Sequence, residues 1–400
     1  MTDNADGLGA RRFEEIEGLR GWLSWTVVFW HIIQYTGLNG HYRVLGSAAG
    51  LAHLAVEMFI ILSGFVVTHL LLSRKEPYVR YLSRRAFRLF PLYLIGAVTG
   101  IFATGLAAQA VGHVPWAHDP AFTYGKTLIA TYASQQAYFP LHAFLHMVLL
   151  QGAVPDSILP YSSAALIGPA WSLSLEWQFY LIAPLLIGGL ASRRWWAVTL
   201  MAIVGAYLAH QTGILGSYRL MSSFPSASLL FLTGIVSRLR FGWLGRVIRS
   251  PTPVALAGLA AASIPALTAF GLWVAFFAFL VSNNQNNGKG TGIMARSWAA
   301  MFGSRIARLI GARSYGVYVV HWPLLQIILF MLQDEFGANL TISACMLAAA
   351  LIPATIVIAE LLHHAVERPM IRLGSQLVSR KNSLLAHQLR LDIPAQRGEG

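Results

Sequence analysis

One cysteine, Cys345, is all the thiol chemistry this 400-residue chain carries, and it lies in an apolar run. An intrachain disulfide and a thiolate metal centre are therefore excluded. Charge is equally scarce. Only 11% of residues are Asp, Glu, Lys or Arg, against about 25% in average soluble domains. Acidic residues number 16 against 29 Lys and Arg. The start lacks a basic stretch with a cleavage site, so the first apolar segment is expected to act as its own insertion signal. No repeat of fixed period stands out. What is abundant is hydrophobic, at 56% of residues and a mean hydropathy of +0.57. Composition predicts an all-α, polytopic membrane protein.

Apolar runs long enough to span occur near 16–38, 51–72, 89–110, 169–190, 195–213, 224–239, 311–332 and 341–363. The stretch 252–282 is interrupted by Pro265 and Gly271 and reads as two short spans joined by a tight turn. About ten transmembrane helices result, with both termini cytosolic. The cytosolic side then carries Arg11, Arg12, the run Arg74 to Arg88, Arg193, Arg194, Arg238 to Arg249, Lys289 to Arg308 and the tail from Arg368. The other side receives only Arg43, Lys126 and Arg219. Such asymmetry is what the positive-inside rule demands. One span over 252–282 would move Arg296, Arg305 and Arg308 outside. A full span at 141–153 would flip everything after it, so that stretch reads as a re-entrant or surface helix within the outer loop 111–168. The net charge of +13 is accounted for by topology and anionic inner-leaflet lipid. Nucleic-acid binding is not needed. Residues 1–374 are expected to form the membrane domain, and 375–400 a polar cytosolic tail, partly disordered.

Arg20 and His31 share the first apolar segment. Eleven residues at about 100° each bring them within roughly 20° of one another, about 16 Å apart along a helix axis. Glu57 and Glu176 lie on two other spans, at the same depth as His31, roughly 10 Å below the outer edge. Ionisable groups in lipid are costly and mark functional paths. A carboxylate beside an imidazole orients the ring and stabilises its cation, as general-base work requires. Ser63, His321 near mid-membrane and Arg20 near the inner side extend this into a polar column. Taken singly, Arg20 could snorkel to the interface and His31 could be a hydrogen-bonded core histidine. Their coincidence with two carboxylates favours a site.

At the cytosolic mouth of the third span stand Arg84, Arg85 and Arg88. The last two share a helix face and suit phosphate by paired guanidinium geometry; ordinary positive-inside anchoring is the plainer reading. His142 and His146 have metal-ligand spacing but no third ligand, and no metal is assigned. His363 and His364 read as interfacial anchors.

Five motifs in order carry a resemblance. They are Arg20 with His31; Glu57 before Ser63-Gly64-Phe65; Arg85 with Arg88 before Pro91-Leu-Tyr93; Trp171 to Tyr180; and Ser314-Tyr315 through Tyr318 to His321-Trp322-Pro323, with Glu367-Arg368-Pro369 beyond. From about residue 14 to 373 the chain resembles the acyltransferase-3 family, membrane-bound enzymes that O-acylate exported glycans, lipopolysaccharide, Nod factors and some macrolides. Trp177 departs from the pattern, standing where many relatives carry a small or acidic residue, and is expected to reshape the acceptor side. The soluble hydrolase-like domain of many relatives has no counterpart here, so full transfer falls to this domain or to a separate glycan-export or transferase partner.

The resemblance implies a multi-pass protein of the bacterial inner (cytoplasmic) membrane, taking an acyl group, acetyl first among candidates, from cytosolic acyl-CoA to a carbohydrate or glycolipid hydroxyl. Arg85 and Arg88 would hold the CoA phosphates and Arg20 would stabilise charge developing on oxygen. His31 would act as base or acyl relay, oriented by Glu57 or Glu176. Ser63, Trp171, Tyr180, Tyr315 and His321 would bind substrate or support the site. The alternative is a proton-coupled transporter or flippase using the same column. Against it, the two halves show no evident inverted repeat.

Overall fold

The computed structural model describes residues 13–42, 49–74, 76–285 and 292–377. Its helices are α1 (Glu14–Tyr35), α2 (Ala49–Ser73), α3 (Tyr78–Ala110), α4 (Thr123–Ala137), α5 (Phe139–Met147), α6 (Trp171–Ala191) and α7 (Trp196–Gln211). They continue as α8 (Phe224–Leu239), α9 (Phe241–Val247), α10 (Pro251–Ala262), α11 (Thr268–Gln285), α12 (Ile293–Gly303), α13 (Arg305–Leu332) and α14 (Leu340–Leu362). No strand occurs among the described residues. Most of the expected tail, from residue 378 on, lies outside them.

Every apolar run is helical where expected, but not every helix can cross a bilayer. Among the described residues six are long and apolar enough, or seven if α8 and α9, bent by 70° at their junction, form one broken span. Helix α1 has the length, at 22 residues, but three glutamates in its first turn and Arg20 dilute its apolar character. Helix α10 has 12 residues, reaching about 18 Å where the hydrocarbon core is roughly 30 Å thick. By length and composition, six or seven full spans stand among the described residues beside α1 and the shorter apolar helices, as in a polytopic all-α membrane protein.

The break in 252–282 falls at Pro265, where a short 3-10 turn separates α10 from α11. Gly271 has a different role from the turn expected of it. It lies inside α11, and a Cβ there would stand 2.4 Å from the carbonyl oxygen of Gly258 on α10, so the two helices touch backbone to backbone. Residues 141–153 are no span: α5 is only nine residues long.

Small residues set the closest crossings elsewhere, as expected where lipid removes the hydrophobic drive between helices. A Cβ on Gly311 of α13 would lie 1.9 Å from the Glu17 carbonyl oxygen of α1, and one on Gly234 of α8 would lie 2.0 Å from that of Ile61 on α2. The first contact fixes α1, which carries Arg20 and His31, against α13, which carries Tyr315, Tyr318 and His321. Outside the bundle, residues 111–168 fold over the end of α1. The Trp116 indole donates to the Tyr35 carbonyl at 3.0 Å, and Asp119 pairs with His41. The Ala121 amide and His41 together hold the Asp119 carboxyl below its ordinary pKa.

Gly311→Ala is expected to push α1 off α13 and to cost about 1–3 kcal/mol, the usual range for overpacking. A lowered melting temperature in detergent, followed by size-exclusion, checks this.

Candidate functional site

Two cavities follow one another through the bundle. The inner one, about 60 Å³, is lined by Arg20, Ser63, Arg85, Arg88, Ser172, Glu176, Tyr180, Ser314, Tyr315 and Tyr318, among apolar residues. Three helices, α1, α3 and α6, thus supply three guanidiniums and one carboxylate to one space. The Glu176 carboxylate accepts from Ser63 Oγ at 2.9 Å and from the Tyr180 hydroxyl one turn away. The Arg85 guanidinium lies over the Tyr180 ring at 5.1 Å and the Tyr81 ring at 5.9 Å, and its Nε is buried with no hydrogen-bond partner. Spacing of three brings Arg85 and Arg88 to the same wall. Their neighbour Arg84 faces elsewhere and is neutralised by Glu76. A second carboxylate, Glu367, acts on Arg20 from further away while held by His363 at 2.8 Å. The inner cavity therefore has more positive than negative charge and is ready for an anion.

The outer cavity is larger, about 400 Å³, and different in character. Aromatic rings dominate its wall, among them Trp30, Tyr124, Tyr161, Trp171 and Trp322, with hydroxyls from Thr104, Thr127, Thr131 and Ser163 between them. Tyr161 takes a left-handed backbone at φ 57°, fixed by its amide donating to Asp156 at 2.8 Å. Arg219 lies 4.1 Å over that ring.

His31 faces this outer space. Its Nδ1 meets the amide oxygen of Gln34 at 3.0 Å. An amide oxygen only accepts, so Nδ1 carries the proton and Nε2 keeps a free lone pair. The ring abuts Trp322 edge-on at 4.7 Å and stacks on His321 at 5.5 Å with a 20° interplanar angle. His321 donates from Nδ1 to the Val317 carbonyl at 3.0 Å, and its buried Nε2 has no partner among the described residues.

The expected column is therefore divided, and several readings change. Neither carboxylate hydrogen-bonds His31 among the described residues. Glu57 lines neither cavity and faces His53 at 3.6 Å, while Glu176 belongs with the arginines. Gln34 does the orienting, and its position one turn beyond His31 was the available signal. Arg20 sits in the inner cavity, about 16 Å along α1 from His31, too far to meet charge developing beside the imidazole. Trp171 lines the outer cavity and stacks on His53 at 6.3 Å, whereas Tyr180, Ser63 and Tyr315 line the inner one, the Tyr315 hydroxyl donating to the Leu89 carbonyl. Trp177 packs edge-on against Phe90 at 4.9 Å and lines neither cavity, so it does not reshape the acceptor side directly. His363 is a buried partner of Glu367 rather than an interfacial anchor. His142 and His146 are each engaged separately, with Ser134 at 3.2 Å and Tyr93 at 2.8 Å.

A multi-pass helical membrane protein with an anion-ready cavity beneath an oriented imidazole has the parts of a group-transfer enzyme. Residues 13–362 match the family model described as an acyltransferase domain, acyltransferase-3. The chain belongs to that family and is a membrane acyltransferase. It is similar to acyltransferase MdmB of Streptomyces mycarofaciens, at 26% identity over 409 residues covering 90% of this chain and 92% of the relative. No solved structure matches it.

If Gln34 and not Glu57 holds the imidazole, Gln34→Leu should lower kcat by about 10²- to 10⁴-fold, the weight of a positioned general base. Glu57→Gln should stay within about tenfold of the parent. Turnover of both variants in one membrane preparation checks the pair.

Proposed function

We propose that this acyltransferase moves an acyl group, acetyl first among them, from cytosolic acyl-CoA to a hydroxyl of an exported or membrane-linked carbohydrate, in the bacterial cytoplasmic membrane. The observation that carries this reading is the division of labour between the cavities. A donor that is an anion at one end suits the space with Arg20, Arg85 and Arg88, because guanidinium pairs bind phosphate oxygens bidentately. An acceptor rich in hydroxyls and with flat apolar faces suits the aromatic, hydroxyl-lined outer cavity.

His31 stands on the acceptor side with Nε2 unprotonated. It takes the proton of the attacking hydroxyl as the new ester C–O bond forms at the thioester carbonyl. The C–S bond then breaks, and the proton returns to the leaving thiolate as CoA departs. The proton on Nδ1 stays with Gln34 throughout. The neutral amide holds the ring without the charge stabilisation a carboxylate would give, and the imidazolium formed in between is short-lived in consequence. Arg20 joins the donor-holding set in this scheme, a role that follows from its position in the inner cavity.

His31→Ala should abolish transfer to the acceptor while the protein still reaches the membrane. Arg85→Ala and Arg88→Ala should each raise KM for acyl-CoA by about tenfold to a hundredfold, the weight of a lost charge-assisted hydrogen bond. Radiolabelled acetyl-CoA with envelope glycans and purified protein in nanodiscs tests all three. Wild-type-like acylation by His31→Ala would sink the scheme.

A further inference from the structure

Tyr318 is the one residue that lines both cavities among the described residues. On the inner side its ring meets Phe59, centroids 6.1 Å apart. On the outer side it lies 5.9 Å from His321, which stacks on His31. Its hydroxyl is tied at that position, 2.8 Å from the Pro169 carbonyl and 2.7 Å from Ser172 Oγ. Ser172 Oγ also lies 3.2 Å from the Pro169 carbonyl, and its single proton serves either that oxygen or the Tyr318 hydroxyl. Two hydroxyls and one carbonyl form a closed triangle at the start of α6.

Both sides of the triangle are held from behind. Trp322 packs so closely on Gly168 that a Cβ there would stand 2.3 Å from the indole, which fixes the Gly168-Pro169 turn. The turn of α13 itself is less constrained. Pro323 lies inside that helix and cannot donate to the Val319 carbonyl, so one backbone bond of the turn carrying Tyr318 and His321 is missing. A ring held by side-chain hydrogen bonds on a softened turn is a movable element, with its closed position specified.

We propose that Tyr318 is the partition between the two cavities, and that its release from Ser172 and Pro169 joins them. The partition deepens the acyltransferase reading and rests on it for its purpose. It keeps water of the outer compartment from the donor thioester until an acceptor is seated beside His31. Hydrolysis and transfer use the same carbonyl carbon, and a closed ring removes water as the competing nucleophile.

The test reads the path directly, without chemistry. In a Cys345→Ser background, Ser63→Cys places a thiol on the inner cavity. Right-side-out vesicles are then treated with an anionic, membrane-impermeant methanethiosulfonate, which the arginines attract. With Tyr318 intact, labelling from outside should be slow. Tyr318→Ala should raise its rate by at least about tenfold. Tyr318→Phe, which keeps the ring and loses both hydrogen bonds, should give on the order of a fewfold rise. Labelling as fast with Tyr318 intact as in either variant overturns the partition. Acyl-CoA hydrolysis measured without acceptor should rise in Tyr318→Ala alongside. If no protein hydrolyses or transfers acyl-CoA while the labelling pattern holds, the acyltransferase scheme has failed and the partition stands.

Discussion

Charge buried in a helical bundle has to be answered, and the answer given to Arg20, Arg85 and Arg88 organises the rest of this molecule. Three guanidiniums are gathered from two helices, and among the described residues Glu176 is the one carboxylate lining their cavity. Its Oε1 already accepts from both Ser63 and Tyr180. Arg85 makes up part of its deficit with the faces of two tyrosines, an interaction that strengthens when water is removed. The remaining positive charge is a standing demand for an anion. A purely structural network has no reason to leave such a demand open, because each unpaired ion costs several kcal/mol, roughly, in an apolar surround. Binding a polyanionic donor would complete the cluster, which links the stability of the bundle to the substrate it takes.

The geometry that gathers these charges depends on backbone contact. Gly311 allows α13 to meet α1 at Glu17, and that crossing sets Arg20 with Tyr315 in the inner cavity and stacks His31, on the outer cavity, against the buried His321. Larger residues at the crossing would separate the walls of both cavities at once. Packing and chemistry are therefore one constraint on α1.

Much of this was legible in the sequence. Helical periodicity and apolar runs placed the helices, and the spacing of Arg85 and Arg88 put both on one wall. The spacing of Arg20 and His31 put both toward the bundle interior. What escaped follows from effects that one-dimensional spacing does not carry. Depth along an axis suggested that Glu57 and Glu176 would meet His31, yet equal depth says nothing about azimuth: Glu57 turns to His53 on its own helix, and Glu176 turns to the arginines. Gln34 was passed over because an amide carries no charge to flag it. Gly271 reads as a turn residue in sequence, but the same lack of a Cβ serves close helix packing. The short α10 shows the limit of hydropathy, since an apolar stretch is only a span if its unbroken length allows it.

The division of the column has a chemical logic. A base is most effective where its lone pair is free and its surroundings are dry, and Nε2 of His31 meets the first condition through Gln34. A thioester donor, however, is vulnerable to any water that reaches its carbonyl. A single open column from the arginines to the outer face would expose the donor to the compartment where the acceptor arrives. In the proposed scheme two cavities separated by one aromatic ring avoid that conflict: the small, charged space would hold the donor's anionic end, and the large, aromatic one would select the acceptor. The ring between them is secured by two hydroxyls and a carbonyl rather than by packing alone, so closing it is specific and opening it costs little more than two ordinary hydrogen bonds.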